Sequence, residues 1–122
     1  MKIRKFTDLK VWHNSVDFSL EIYKITKNFP KSEIFGIISQ LRRAAYSIGA
    51  NIAEGFGRYY FKDKIRFYYQ ARGSATEAQH FLILSLKIGF INKKEFVELY
   101  KDIERIRRGI VGLIRSINKN KE

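Results

Sequence analysis

Apolar residues recur at spacings of three and four through most of this chain, the period of an α-helix that packs by one face. Four such segments are separated by short breaks. The first spans about residues 9–28, with Leu9, Trp12, Val16, Leu20 and Tyr23 as its main stripe. Thr7 or Asp8 can cap its start, and Pro30 stops it by pushing the preceding residue away from helical angles. The second spans about 32–56, with Ser32 as cap and Ile34, Ile37, Ile38, Leu41, Ala45, Ile48 and Ile52 as its stripe. The third spans about 62–87 on Ile65, Tyr68, Ala71, Ala75, Ala78, Leu82 and Leu86, with Gly89 suited to a left-handed C-cap. The fourth spans about 92–118 on Phe96, Leu99, Ile103, Ile106, Ile110, Leu113 and Ile117. Asn92 followed by Glu95 has the spacing of a capping box, and the tail from Asn118 to Glu122 is expected to fray. No stretch sustains the alternation of a half-buried strand. Short connections make neighbouring helices run up and down, so the expected fold is a single all-α, antiparallel four-helix bundle.

Two helices carry more apolar surface than one stripe. The first adds Val11, Phe18, Ile22 and Ile25; the third adds Phe61, Phe67, Tyr69, Phe81 and Ile83. Two-faced helices in a short chain point to self-association, the alternative being a core wide enough to absorb them.

The second helix poses a different question. Opposite its apolar stripe runs a line of small and polar residues: Gln40, Ala44, Ser47, Asn51, Glu54 and Arg58. The third helix answers with Gln70, Gly73 or Ser74, and Glu77. Small residues allow helix axes to approach, and polar groups trapped there must satisfy one another. The expected structural network is therefore Gln40, Arg43, Asn51, Glu54, Arg72 and Glu77, with the two arginines holding the two carboxylates.

Composition adds one strong constraint. The chain has 122 residues, 24 Lys and Arg against 12 Asp and Glu, and a formal net charge of +12. Such an excess suits polyanionic partners, RNA or DNA, or else simply a soluble basic surface. Without cysteine there is no disulfide, thiolate metal site or thiol catalysis. No apolar run is long enough to span a bilayer, and the basic start MKIRK lacks the apolar stretch of a signal peptide. A cytoplasmic protein with no membrane partner is expected.

Catalytic chemistry finds little support. Glu77 and His80 stand three apart as in di-iron bundles, but only once, and a salt-bridged Glu with an unrelated His is the simpler reading. The Gly-x-Gly of EGFGR lacks a strand and a following Gly-Lys, so it reads as a helix end. No enzyme, metal or cofactor is expected. Cations cluster instead: Arg58, Lys62, Lys64 and Arg66 interleave with aromatics, and Arg105, Arg107 and Arg108 lie on the fourth helix. These seven are the expected nucleic-acid contacts, since cations meet phosphates while neighbouring rings can stack on bases. Core or interface is the alternative role for those aromatics.

The segments FPKSEIFGIISQLRRAAYSIGANIAEGFGR and YYQARGSATEAQHFLILSLKIGFI resemble the bacterial four-helix-bundle family first linked to intervening sequences in 23S ribosomal RNA genes. LKVWHNSVDFSLEIYKITKNFP resembles its first helix. Gly49 stands where the family pattern often has proline, so a bend is permitted but not imposed, and ATEAQHF modifies the usual Leu-rich stretch. The resemblance implies a ring, commonly a homopentamer. A similar protein is the accessory factor of diversity-generating retroelements, which implies a reverse transcriptase as a possible partner class. The expected function is a non-catalytic, oligomeric nucleic-acid-binding or accessory protein; the alternative is a homo-oligomeric scaffold that binds proteins alone.

Overall fold

The computed structural model describes residues 2–121, with side chains through residue 119. Met1 and Glu122, part of the basic start and of the tail, lie outside the described residues. Four helices form: α1 (Lys10–Thr26), α2 (Ile37–Gly57), α3 (Phe61–Ile88) and α4 (Lys93–Lys121). Short 3-10 turns at Phe6–Asp8 and Lys31–Glu33 precede α1 and α2. There is no strand among the described residues, and no described helix is long and apolar enough to cross a membrane.

Cross-helix contacts fix the antiparallel order. Arg42 Nε donates to Thr26 Oγ1 at 2.8 Å, while Gly49 lies against Ser15. Ser74 Oγ donates to Ser47 Oγ at 2.9 Å, while Gly55 lies against Tyr68. Gly109 of α4 returns to Val11 at the start of α1. Of the neighbouring helix pairs, α2–α3 is the most extensive and α1–α4 the loosest. Ala71, Ala75 and Ala78 give α3 a flat buried face, and Ala44 and Ala45 help α2 meet the core beside Ile48 and Ile52. Ile103, Ile106, Ile110, Ile114 and Ile117 bring the bulk from α4.

The start of α1 departs from the sequence reading. Its N-cap position is Leu9, without a side-chain cap, because Asp8 serves the preceding turn. Asp8 Oδ2 accepts the backbone N–H groups of Arg4 and Lys5 at 3.0 and 3.1 Å. Those bonds favour the ionised carboxylate and hold its pKa below the usual value.

The buried face of α1 is also turned from the expected stripe, of which only Leu9 is buried and Trp12 packs against the core. Val11, Ser15, Phe18, Ile22 and Thr26 face inward, whereas Leu20 and Tyr23 are exposed. The hydroxyls of Ser15 and Thr26 hid this face. Both are satisfied within the helix, on the carbonyls of Trp12 and Ile22. Size explains the serine: a Cβ on Gly49 would stand 2.8 Å from Ser15 Oγ, so α1 and α2 are already at contact there. No helix break accompanies Gly49.

Ser32 does not cap α2, because Lys31–Glu33 is a separate turn and Ile34 stands outside the helix, exposed. On α3 the innermost late position is Ser85 rather than Leu86, its hydroxyl donating to Phe81 O at 2.7 Å. On α4, Ile114 is buried where Leu113 was expected. Gly89 does close α3 in the left-handed region, with φ 97°. Glu95 Oε1 accepts the N–H of Asn92 at 2.9 Å while Asn92 Oδ1 accepts that of Glu95 at 2.8 Å, the reciprocal capping box.

Candidate nucleic-acid interface

The α2–α3 connection is three residues, Arg58, Tyr59 and Tyr60, with extended backbone at Arg58 and Tyr60. A connection this short holds the last turn of α2 against the first turns of α3. Gly55 makes that approach possible. A Cβ there would lie 2.8 Å from the Tyr68 ring and 3.0 Å from Phe67 Cβ. Tyr68 is buried, and burial pushes its phenol up to about 12.

Lys64 belongs to this joint rather than to the surface. Its ammonium donates to Phe56 O at 2.6 Å and Gly55 O at 3.4 Å, capping the carbonyl end of α2. A cation there complements the negative end of the helix dipole. Partial burial lowers its pKa. Lys64 is therefore removed from the expected phosphate contacts, its charge being committed to the backbone.

Three of the expected contacts surround the same turn and remain exposed. Arg58 pairs with Glu54 at 3.0 Å and stacks over Phe67 at 4.6 Å. Arg66 stacks over Phe67 as well, at 4.8 Å, so one ring organises two guanidiniums. Lys62 lies exposed in the first turn of α3. The antiparallel order brings the chain's basic start to this end, and the Phe6–Asp8 turn packs on α1 and α2. Lys2, Arg4, Lys5 and Lys10 thus lie at the same end of the bundle, as do Arg115 and Lys119 near the end of α4. Among the described residues of these segments, only Asp8, Glu54 and Asp63 oppose them.

The expected α4 contacts, Arg105, Arg107 and Arg108, do not join this cluster. Arg105 pairs with Asp102 at 2.8 Å and Arg107 with Glu104 at 3.2 Å. Arg105 and Arg108 line a groove of about 1310 Å³ between α1 and α4. Glu21, Glu95, Glu98, Asp102 and Glu104 line it too, together with Lys24 and Lys101, so that five acids face four cations. Acids and cations nearly balance there, so Arg105 and Arg108 belong to a separate, charge-compensated surface.

The polar network expected between α2 and α3 is much smaller than the sequence suggested. Asn51 Nδ2 donates to Ser47 O and Oγ at 2.9 and 3.0 Å, and the Ser74–Ser47 bond crosses to α3. Gln40, Arg43, Glu54, Arg72 and Glu77 are all exposed. Arg72 stacks over Tyr69 at 4.8 Å instead of holding a carboxylate. The alanine face of α3 explains this: it brings the helices together at apolar positions and turns the charged line outward. Glu54→Ala should therefore change stability by only ~0–1 kcal/mol, as for a surface ion pair; urea unfolding measures it, and a loss of ~3–5 kcal/mol would restore a buried pair.

Glu77 and His80 are exposed, and among the described residues no group of three His, Cys, Asp or Glu is placed to hold a metal. The feature that sequence reasoning undervalued is aromatic. Tyr59 and Tyr60 are 86% and 67% exposed, beside the basic cluster rather than in the core. Their position outside both helical periods was the available signal.

Comparison with known proteins agrees with the fold. A crystal structure of a protein of unknown function from the S23 ribosomal protein family of Bacteroides thetaiotaomicron VPI-5482 superposes with a TM-score of 0.77. It is 26% identical, and the match covers 85% of this chain and 97% of that one. Among curated proteins none matches. The profile of the 23S rRNA-intervening sequence proteins matches residues 7–112, nearly the whole bundle, and the chain belongs to that family.

Proposed function

We propose that this is a non-catalytic, cytoplasmic nucleic-acid-binding protein that acts as a ring-shaped homo-oligomer, a homopentamer by family resemblance. Its bundle end at the α2–α3 turn contacts RNA or DNA. The observation that carries this reading is the excess of exposed cations around that turn, Arg58, Lys62 and Arg66 with Lys2, Arg4, Lys5 and Lys10 from the same end, whereas in the α1–α4 groove five acids nearly balance four cations. The family's link to 23S rRNA intervening sequences fits an RNA partner, and the resemblance to retroelement accessory factors adds a reverse transcriptase as a candidate protein partner. Self-association is supported by exposed apolar residues that the bundle leaves over, among them Leu20, Ile34, Tyr46 and Ile83, with Phe35 93% exposed.

The test is binding to a short duplex across a salt series. Affinity should fall steeply with salt as condensed counterions are released. Replacing Arg58, Lys62 and Arg66 with Gln should shallow the log–log slope by about 0.9 for each phosphate no longer neutralised. Arg105→Gln and Arg107→Gln should change it less: each is paired with a carboxylate, as Arg58 is with Glu54, but they lie on α4 away from the α2–α3 turn where the other cations and the exposed tyrosines stand. The oligomer mass should stay constant throughout. Absence of binding to RNA and DNA at low salt would favour the second reading, a scaffold whose exposed apolar faces serve protein contacts alone.

A further inference from the structure

We propose that Tyr59 and Tyr60 form a stacking platform for unpaired bases, so that the nucleic acid this bundle end takes is single-stranded. This rests on the nucleic-acid reading above and names its ligand class. The two rings stand edge to face, 5.0 Å apart at 84°, on a connection where no neighbouring side chain buries either of them. The other aromatics of this joint have structural work: Tyr68 is in the core, and Phe67 carries the two guanidiniums. Tyr59 and Tyr60 do neither. Sequence-tolerant single-strand sites combine a cationic track for the backbone with open aromatic faces for the bases. Arg58, Lys62 and Arg66 supply the first within the same turn and the first helical turns beyond it.

Duplex fits this arrangement less well. Its bases are stacked on one another and present only groove edges, so exposed rings gain nothing from it, while its phosphates would use the cations alone. A second copy meeting the same end is disfavoured by charge, because an isologous contact sets each cationic cluster against itself. The remaining competitor is the mixed-charge α1–α4 groove of a second copy, and the experiment distinguishes it.

The full-length protein is measured against a 12-nucleotide pyrimidine strand carrying one 2-aminopurine and against a 12-base-pair duplex, at one salt concentration. Tyr59→Ala and Tyr60→Ala should each weaken strand binding roughly 5- to 150-fold, leaving duplex binding unchanged. Tyr→Phe at the same positions should restore the strand affinity, since stacking needs the ring and not the hydroxyl. Quenching of 2-aminopurine should appear with the wild type and the Phe variants and vanish with the Ala variants. Undiminished strand binding by the Ala variants overturns the platform while the charge reading stands. Equal weakening of strand and duplex also overturns it. A drop in oligomer mass in the Ala variants assigns the rings to a contact between copies instead. Failure of the wild type to bind either probe at low salt removes the platform together with the nucleic-acid reading.

Discussion

Phe18→Ala should destabilise the protein by about 3–5 kcal/mol, the usual loss for truncating a buried phenylalanine. Leu20→Ala, close by on the same helix, should change stability by no more than ~0.5 kcal/mol. Phe18 is 1% exposed among the core residues and Leu20 is 62% exposed. Each Phe18 atom removed forfeits transfer free energy, and the flanking helices, held by close contacts at Gly49 and Gly109, have little freedom to close the void. Urea unfolding of the two variants at matched concentration reads the difference. Equal losses, or a larger loss at Leu20, would turn α1 around and restore the face read from the sequence. A loss at Leu20 that grows with protein concentration would instead place that side chain between copies.

Gly55→Ala should cost about 1–3 kcal/mol through overpacking, although alanine is intrinsically the better helix former. The added methyl would stand 2.8 and 2.9 Å from the Tyr68 ring and 3.0 Å from Phe67 Cβ. Tyr68 is buried and Phe67 Cβ is fixed to the backbone, so the helices themselves must part. Gly57→Ala is the control. Nothing lies within 4 Å of a Cβ built there, and the expected effect is neutral or a gain of at most ~1 kcal/mol. Thermal unfolding compares the pair. Similar small changes in both would mean that the α2–α3 joint yields to the methyl, with Lys64 released from its carbonyls.

The helices were legible because their apolar spacing is long and regular, most of all on α4, where isoleucine repeats through the buried face. The caps at Asn92 and Gly89 were legible because each depends on a local bond or a single backbone angle. The orientation of α1 was not. It carries two apolar sets, and the buried one is interrupted by Ser15 and Thr26, whose hydroxyls are satisfied by their own helix. Only the close approach of Gly49 shows why a small residue belongs inside, and that approach is a tertiary fact.

The candidate site divides in the same way. Arg58, Lys62 and Arg66 stand out by their clustering near the turn, and the structure keeps them exposed there. Lys64 looks identical in the sequence, yet its ammonium meets the end of α2, a contact set by the length of the connection. Arg105 and Arg107 read as cations, but each has an acid three residues earlier, and the helical period joins them. The expected Glu54 lock fails because the small residues on α2 and α3 do not serve the polar line; the alanines of the apolar face make the contact.

The uneven placement of charge has a kinetic consequence. If the partner is a polyanion, a bundle end with exposed cations and few acids beside them would turn toward it before contact. Collisions would then not be random in orientation: approach by the α2–α3 turn would be favoured over approach by the groove, where acids and cations nearly balance. Fewer encounters are wasted on unproductive approaches, and the field can raise an on-rate by about 10- to 1000-fold where it acts unscreened. At physiological ionic strength the field reaches only about 8 Å, so this selection of approach operates in the last step of diffusion, at roughly the width of one helix.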